Sequence, residues 1–159
     1  MIPPAGLVLD AAGDVDAVCA ALAPQVSVLA VHSNADVDTT LPVLRDLYPE
    51  RPGLLAGVLA GLEWAAAQGF EQLVTVPADA QVPPDLVARL QDAAAQAGPV
   101  PIVASTGAGR VVAIALWPVI RTERIRSALA TGQRDASAVI DALGGVELAL
   151  GDLPPAPEA

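Results

Sequence analysis

The sequence predicts a three-layer α/β/α domain built on a mostly parallel sheet. Three observations predict it. Short β-branched runs alternate with stretches of helical spacing, several runs are apolar at every position, and Gly, Pro and Asp cluster between the two kinds of segment. Alternation of this sort marks strand–helix–strand units, and a run apolar at every position is a strand covered on both faces.

Leu7-Val8-Leu9 reads as the first strand. Asp14 caps a helix over Val15–Ala23 that turns Val15, Val18, Cys19 and Leu22 to one side, and Pro24 ends it. Val26–Val31 is a strand, with His32 at its end and the polar loop Ser33-Asn34-Ala35-Asp36 after it. Leu41–Leu44 is a short strand, and Tyr48–Gly53 is a Pro/Gly loop. Leu54, Leu55, Val58, Leu59 and Leu62 recur at helical spacing, with Gly69 just past the helix end. Leu73–Val76 is a further strand and Pro77–Pro83 a loop. Pro84 suits the first turn of a helix that buries Leu86, Val87 and Leu90 and stops at Gly98. Pro101–Ser105 and Val111–Trp117 are strands joined through Thr106-Gly107-Ala108-Gly109. Helices over Thr122–Thr131 and Ala136–Leu143 and a strand over Val146–Leu150 complete the pattern. Residues 1–150 are expected to form one domain, with 151–159 a loose Pro-rich tail.

Composition removes whole classes of chemistry. The chain has 159 residues, 53% of them hydrophobic, and its aromatic residues are Trp64, Trp117, Tyr48 and Phe70, so Ala, Val, Leu and Ile must fill the core. Eighteen acids face 8 bases, for a net charge of −10, and every base is arginine. Without lysine there is no Walker-type phosphate lysine and no Schiff base. The acidic balance argues against nucleic acid or an anionic membrane as partner. One cysteine, Cys19, and one histidine, His32, exclude disulfide frameworks and Cys/His zinc sites. Met1-Ile2-Pro3-Pro4 lacks the basic start of a secretory leader, and the apolar runs break before a membrane span, so the expected address is the cytoplasm.

Ligands of such folds bind at the carboxyl ends of strands, which singles out the loops after Leu9, Val31, Leu44 and Val76. Asp10-Ala11-Ala12-Gly13-Asp14 carries one glycine and two acids, a poor phosphate cradle and an ordinary helix start. Asp79, just past a buried strand, admits two readings. Its carboxylate suits Mg²⁺, which takes one or two protein carboxylates and completes its shell with phosphates and water; it equally suits an Asx turn. Arg51–Gly57 opens a helix with small residues, which serves either an anion at free N–H groups or close packing on the sheet. His32 reads as a hydrogen-bonding strand-end residue and Cys19 as inert core.

Taken in order, Tyr48-Pro49-Glu50-Arg51-Pro52-Gly53-Leu54-Leu55-Ala56-Gly57-Val58-Leu59-Ala60-Gly61-Leu62, Val76-Pro77-Ala78-Asp79, Pro83-Pro84-Asp85-Leu86, Ala115-Leu116-Trp117-Pro118, Leu129–Arg134 and Gly144-Gly145-Val146-Glu147 resemble the MobA-like nucleotidyltransferases, the molybdenum cofactor guanylyltransferases and their relatives. The resemblance implies a Rossmann-like α/β domain that uses Mg²⁺ to join the GMP of GTP to molybdopterin, releasing pyrophosphate. It implies that Asp79 is the magnesium aspartate, that Asp46 belongs to the guanine-nucleotide site, and that His32 stands where the family has an asparagine, with Asn34 close by. It places Leu9 and Gly13 at the nucleotide from the first-strand loop, and Leu55, Ala56 and Gly57 from the helix start.

The chain departs from the family at the first strand. The family follows it with Leu-Ala-Gly-Gly, a basic run and a lysine; here Leu9-Asp10-Ala11-Ala12-Gly13 leads almost directly into the helix. Two outcomes are therefore expected: a working GTP-dependent transferase in which arginines such as Arg51 supply the lost positive charge, or a catalytically degenerate homologue that binds nucleotide, pterin or a protein partner in cofactor assembly without turnover.

Overall fold

The computed structural model describes residues 2–11, 14–35, 37–46 and 53–151. Its elements are β1 (Ala5–Leu9), α1 (Asp16–Leu22), β2 (Val28–His32), β3 (Val43–Leu44), α2 (Leu54–Ala67), β4 (Gln72–Pro77), α3 (Leu86–Ala97), β5 (Ile102–Thr106), β6 (Gly109–Pro118), α4 (Thr122–Ala130), α5 (Ala136–Ala142) and β7 (Val146–Ala149). Every expected strand and helix is present, in the expected order. No helix among the described residues is long and apolar enough to cross a membrane.

The strands form one sheet in the order β3-β2-β1-β4-β6-β5-β7. β1 runs parallel to β2 and β4, β2 to β3, and β5 to β7; β6 alone is antiparallel, paired with β4 and β5. Residues of β1 alternate between the two sides. Ala5, Leu7 and Leu9 face a core shared with α2, α4 and α5, while Val8 faces a second core shared with α1 and α3. This is the three-layer arrangement the apolar runs require, and each fully buried Leu or Val in it contributes about 2 kcal/mol.

Trp117 is fully buried, and its ring N–H donates to Thr75 Oγ1 (3.1 Å), whose hydroxyl donates to the Ala113 carbonyl (3.0 Å). Thr75 thus satisfies the polar edge of the one tryptophan inside the core.

Helix starts differ in detail from expectation. Pro84 lies in the turn before α3 rather than in its first turn: Leu86 N–H closes that turn onto the Pro83 carbonyl (3.1 Å). The cap comes from another segment, because Gln25 Oε1 accepts from Val87 N–H (3.0 Å). Asp14 is not the cap it was expected to be: Val15 holds the N-cap position of α1 without a side-chain bond, and Asp14, one residue earlier, accepts from Asp16 N–H at 2.9 Å.

α2 is rich in Leu and Ala, which favour helix. Its two glycines cost helical propensity but let it lie close to the sheet. A Cβ on Gly61 would stand 2.6 Å from Leu7 Cδ2 and 2.8 Å from Leu73 Cδ2. One on Gly57 would stand 2.9 Å from Leu9 Cδ2 and 3.1 Å from His32 Cε1. That contact sets the start of α2 against the ends of β1 and β2.

Candidate active site

β1, β2 and β4 are neighbours, and the chain leaves β1 toward β2 on one side while β4 borders it on the other. Their carboxyl ends therefore enclose the crevice in which open α/β sheets hold ligands.

His32 ends β2 with its imidazole fully engaged. Nδ1 accepts from the backbone N–H of Asp10 (3.1 Å), and Nε2 lies 2.7 Å from Asp46 Oδ1. A backbone N–H can only donate, so Nδ1 carries the lone pair and Nε2 carries the proton that it gives to Asp46. Asn34 closes the other side: its Nδ2 donates to Asp46 Oδ2 (2.8 Å), while Asp46 N–H donates to Asn34 Oδ1 (3.0 Å). Arg45 holds the intervening loop by donating Nη1 to the carbonyls of Ser33 (2.8 Å) and Ala35 (2.7 Å). The side chains of His32 and Asp46 are only 6% and 3% exposed. Asp10 takes a positive φ of 55°, a backbone state that costs most residues energy and that aspartate tolerates.

Two cavities open on this network. One, about 360 Å³, is lined by Leu9, Asp10, His32, Asn34, Asp46, Gly53, Leu54 and Gly57. The other, about 460 Å³, is lined by Leu9, Asp10, Asp14, Pro77, Ala78 and Asp79. Leu9 and Asp10 form the wall they share. A larger hollow, about 540 Å³, lies at the opposite end of the sheet between Pro3, Phe70, Gln72 and Gln91. It sits at the amino ends of β1 and β4, away from the crevice, so the strand-end cavities are the better candidate site.

The residues singled out from sequence fall into three groups. Leu9, His32, Asn34, Asp46 and Gly57 come together around the first cavity. Asp79 lies apart, exposed in the turn after β4 on the second. Leu55 and Ala56 bury their side chains in the core and can offer only backbone N–H groups from the first turn of α2. Gly13 and Arg51 lie outside the described residues.

The sequence reading took Asp10 and Asp14 as part of an ordinary helix start, and weighed Gly53 and Leu54 only within the Arg51–Gly57 helix start. Position at a strand end was the one signal that could have found Asp10. The carboxylate of Asp79 has no hydrogen-bond or ion-pair partner among the described residues, and no group of three or more His, Cys, Asp or Glu among them could hold a metal by itself. A cation bound there would rest on one carboxylate and on oxygen atoms of its own ligand, the coordination Mg²⁺ accepts. Cys19 lies off the site on α1. Burial first, and the neighbouring Asp16 carboxylate second, push its thiol pKa up.

Both the sequence and the fold match known proteins. The family model of the MobA-like NTP transferase domain matches residues 8–147. A molybdenum cofactor guanylyltransferase from Cereibacter sphaeroides is 45% identical over 118 residues, covering 70% of this chain and 58% of the relative. Another, from Sinorhizobium fredii, is 36% identical over 155 residues, covering 87% of this chain and 71% of the relative. An alignment of 155 positions exceeds 87% of a 159-residue chain, so that relative holds residues within the aligned span that this chain lacks. The chain spans little more than half the length of several such relatives, 55–58%.

Among solved structures, molybdopterin-guanine dinucleotide biosynthesis protein A from Archaeoglobus fulgidus superposes with a TM-score of 0.69 at 15% identity, covering 92% of this chain and 83% of that one. Glucosyl-3-phosphoglycerate synthase from Mycobacterium tuberculosis does so with 0.62 at 16% identity, covering 98% and 72%. At these identities the structures speak for the fold alone. With the family model spanning most of the sequence, the chain belongs to the MobA-like NTP transferase domain family.

Proposed function

We propose that this chain binds a guanine nucleotide across the two strand-end cavities, with the nucleoside in the pocket beneath α2 and the phosphates over Asp79. The family's reaction, transfer of GMP from GTP to molybdopterin with loss of pyrophosphate, is the activity it would retain. The observation that carries this reading is that both cavities are lined by Leu9 and Asp10, so they lie side by side as two halves of one strand-end cleft. Asp79 would hold Mg²⁺, which would offset the charge of the phosphates. The free N–H groups at the start of α2 face the same cleft and favour an anionic ligand. No nucleic acid or membrane enters this scheme.

A second reading, binding without turnover, has its own support. The described walls of the cleft contain Asp10, Asp14, Asp46 and Asp79 and no arginine. The passage from β1 to α1 is short, and the lysine and basic run of the family are missing from it. Phosphoryl transfer rests on positioning and charge stabilisation, and loss of one comparable donor slows it by about 10²–10³. A protein partner in cofactor assembly would then be the recipient of the bound ligand.

Calorimetric titration of GTP with Mg²⁺ tests both. Saturable heat that Asp79→Ala abolishes supports the nucleotide site, and a transferase assay with molybdopterin then separates turnover from binding. Absence of heat at millimolar GTP overturns the reading.

A further inference from the structure

We propose that Asp46 is a positioning residue for His32 and takes no part in reading the base of the bound nucleotide; this rests on the nucleotide reading of the cleft. A carboxylate can recognise guanine by accepting from its N1–H and its exocyclic amine, but it must turn both oxygens to the base edge. Asp46 does not. Oδ1 is taken by His32 Nε2 at 2.7 Å and Oδ2 by Asn34 Nδ2 at 2.8 Å. The side chain is 3% exposed.

What the carboxylate does instead is fix the imidazole. It accepts the proton on Nε2, which leaves the lone pair on Nδ1 to take the Asp10 N–H at 3.1 Å. The same ring lies against Gly57, where a Cβ would come within 3.1 Å of Cε1 and 3.2 Å of Nδ1. Asp46 therefore acts through His32 on the two backbone segments that shape the cleft, the Asp10 wall and the start of α2. Its loss should weaken all purine nucleotides in parallel. Loss of a residue that read the base would change their ratio, because a bidentate contact of that kind separates right from wrong base by roughly tenfold to a hundredfold.

The test uses the full chain, Asp46→Ala and Asp46→Asn, titrated with GTP and with ATP in Mg²⁺. Because His32 is the sole histidine, its ring ¹⁵N signals report the tautomer without ambiguity. The wild type should show the proton on Nε2. Asp46→Asn, which keeps an acceptor for that proton, should retain the tautomer, and Asp46→Ala should mix the two forms. The GTP-to-ATP affinity ratio should stay within about threefold of wild type in both variants, well inside the span a base contact produces.

A tenfold shift of that ratio toward ATP in Asp46→Asn overturns the proposal, and so does a wild-type imidazole that lacks the Nε2–H form. Should Asp46→Ala fail to fold, the shape-conserving Asp46→Asn decides alone. If the wild type binds neither nucleotide, the nucleotide reading of the cleft fails and any question of base reading falls with it; the His32 signals then decide the positioning role by themselves.

Discussion

The two halves of the cleft are built on opposite principles. Under α2, four residues from three segments of chain, Asp10, His32, Asn34 and Asp46, satisfy one another, and the two ionisable side chains at the centre are buried. Over β4, Asp79 stands exposed beside Asp10 and Asp14, without a partner among the described residues. The first half has its geometry before any ligand arrives. In the proposed scheme the second would take a cation to bring like charges and an anionic ligand together. The same residue type is thus buried and bonded on one side and exposed on the other, which burial and partners reveal and residue identity does not.

Removing each carboxylate should break the cleft in different ways. Asp46→Ala leaves the Nε2–H of His32 without its buried acceptor, a loss of about 2 kcal/mol. In a chain of this length that lowers Tm by about 4–8 °C, readable by thermal unfolding without ligand. Asp79→Ala, at an exposed position, should change stability by less than about 0.5 kcal/mol while removing the Mg²⁺ dependence of nucleotide binding. A result in which Asp79→Ala unfolds the chain as readily as Asp46→Ala would erase the distinction.

The next effect is smaller and sharpens the role of α2. Gly57→Ala and Gly61→Ala each place a methyl group into contacts of 2.9 Å or less. Overpacking costs about 1–3 kcal/mol, and exchanging glycine for alanine in a helix returns about 1 kcal/mol. Both variants should lose about 1 kcal/mol in urea unfolding. Only Gly57→Ala presses on Leu9 and His32, so only it should weaken GTP. Equal binding in the two would show that the His32 contact does not shape the pocket.

The element order was legible because apolar runs and helical spacing are local properties. Val28–His32 and Gln72–Pro77 are strands for the reason their sequence suggests, being apolar and covered on both faces. That β6 inserts between β4 and β5 and runs antiparallel was not legible, since pairing between residues far apart in sequence (Thr75 with Ala115) leaves no periodic trace. Nor was the Gln25 cap on α3, which reaches across 62 residues. At the site, strand-end position and family resemblance singled out Asp46, His32 and Asp79. Neither could show that Asp46 and His32 bind each other 14 residues apart, because the contact depends on how β2 and β3 meet. Asp10 was passed over because its contribution is a backbone N–H, which any residue carries.

The smallest expected effect concerns α1, which follows the Asp79 side of the cleft through Asp14. Its Cys19 thiol is pushed above the usual range, by burial first and by Asp16 second. A thiolate is the reacting form, so at neutral pH Cys19 should react with iodoacetamide several times more slowly than a free thiol. Its rate should keep rising with pH beyond the point where a free thiol levels off. GTP with Mg²⁺ should leave that rate unchanged if α1 is already formed without ligand, as the Asp14 bond to Asp16 N–H implies. Protection by nucleotide would mean that the start of α1 opens in the free protein and orders with the phosphates, so that the second half of the cleft, unlike the first, is completed only on binding.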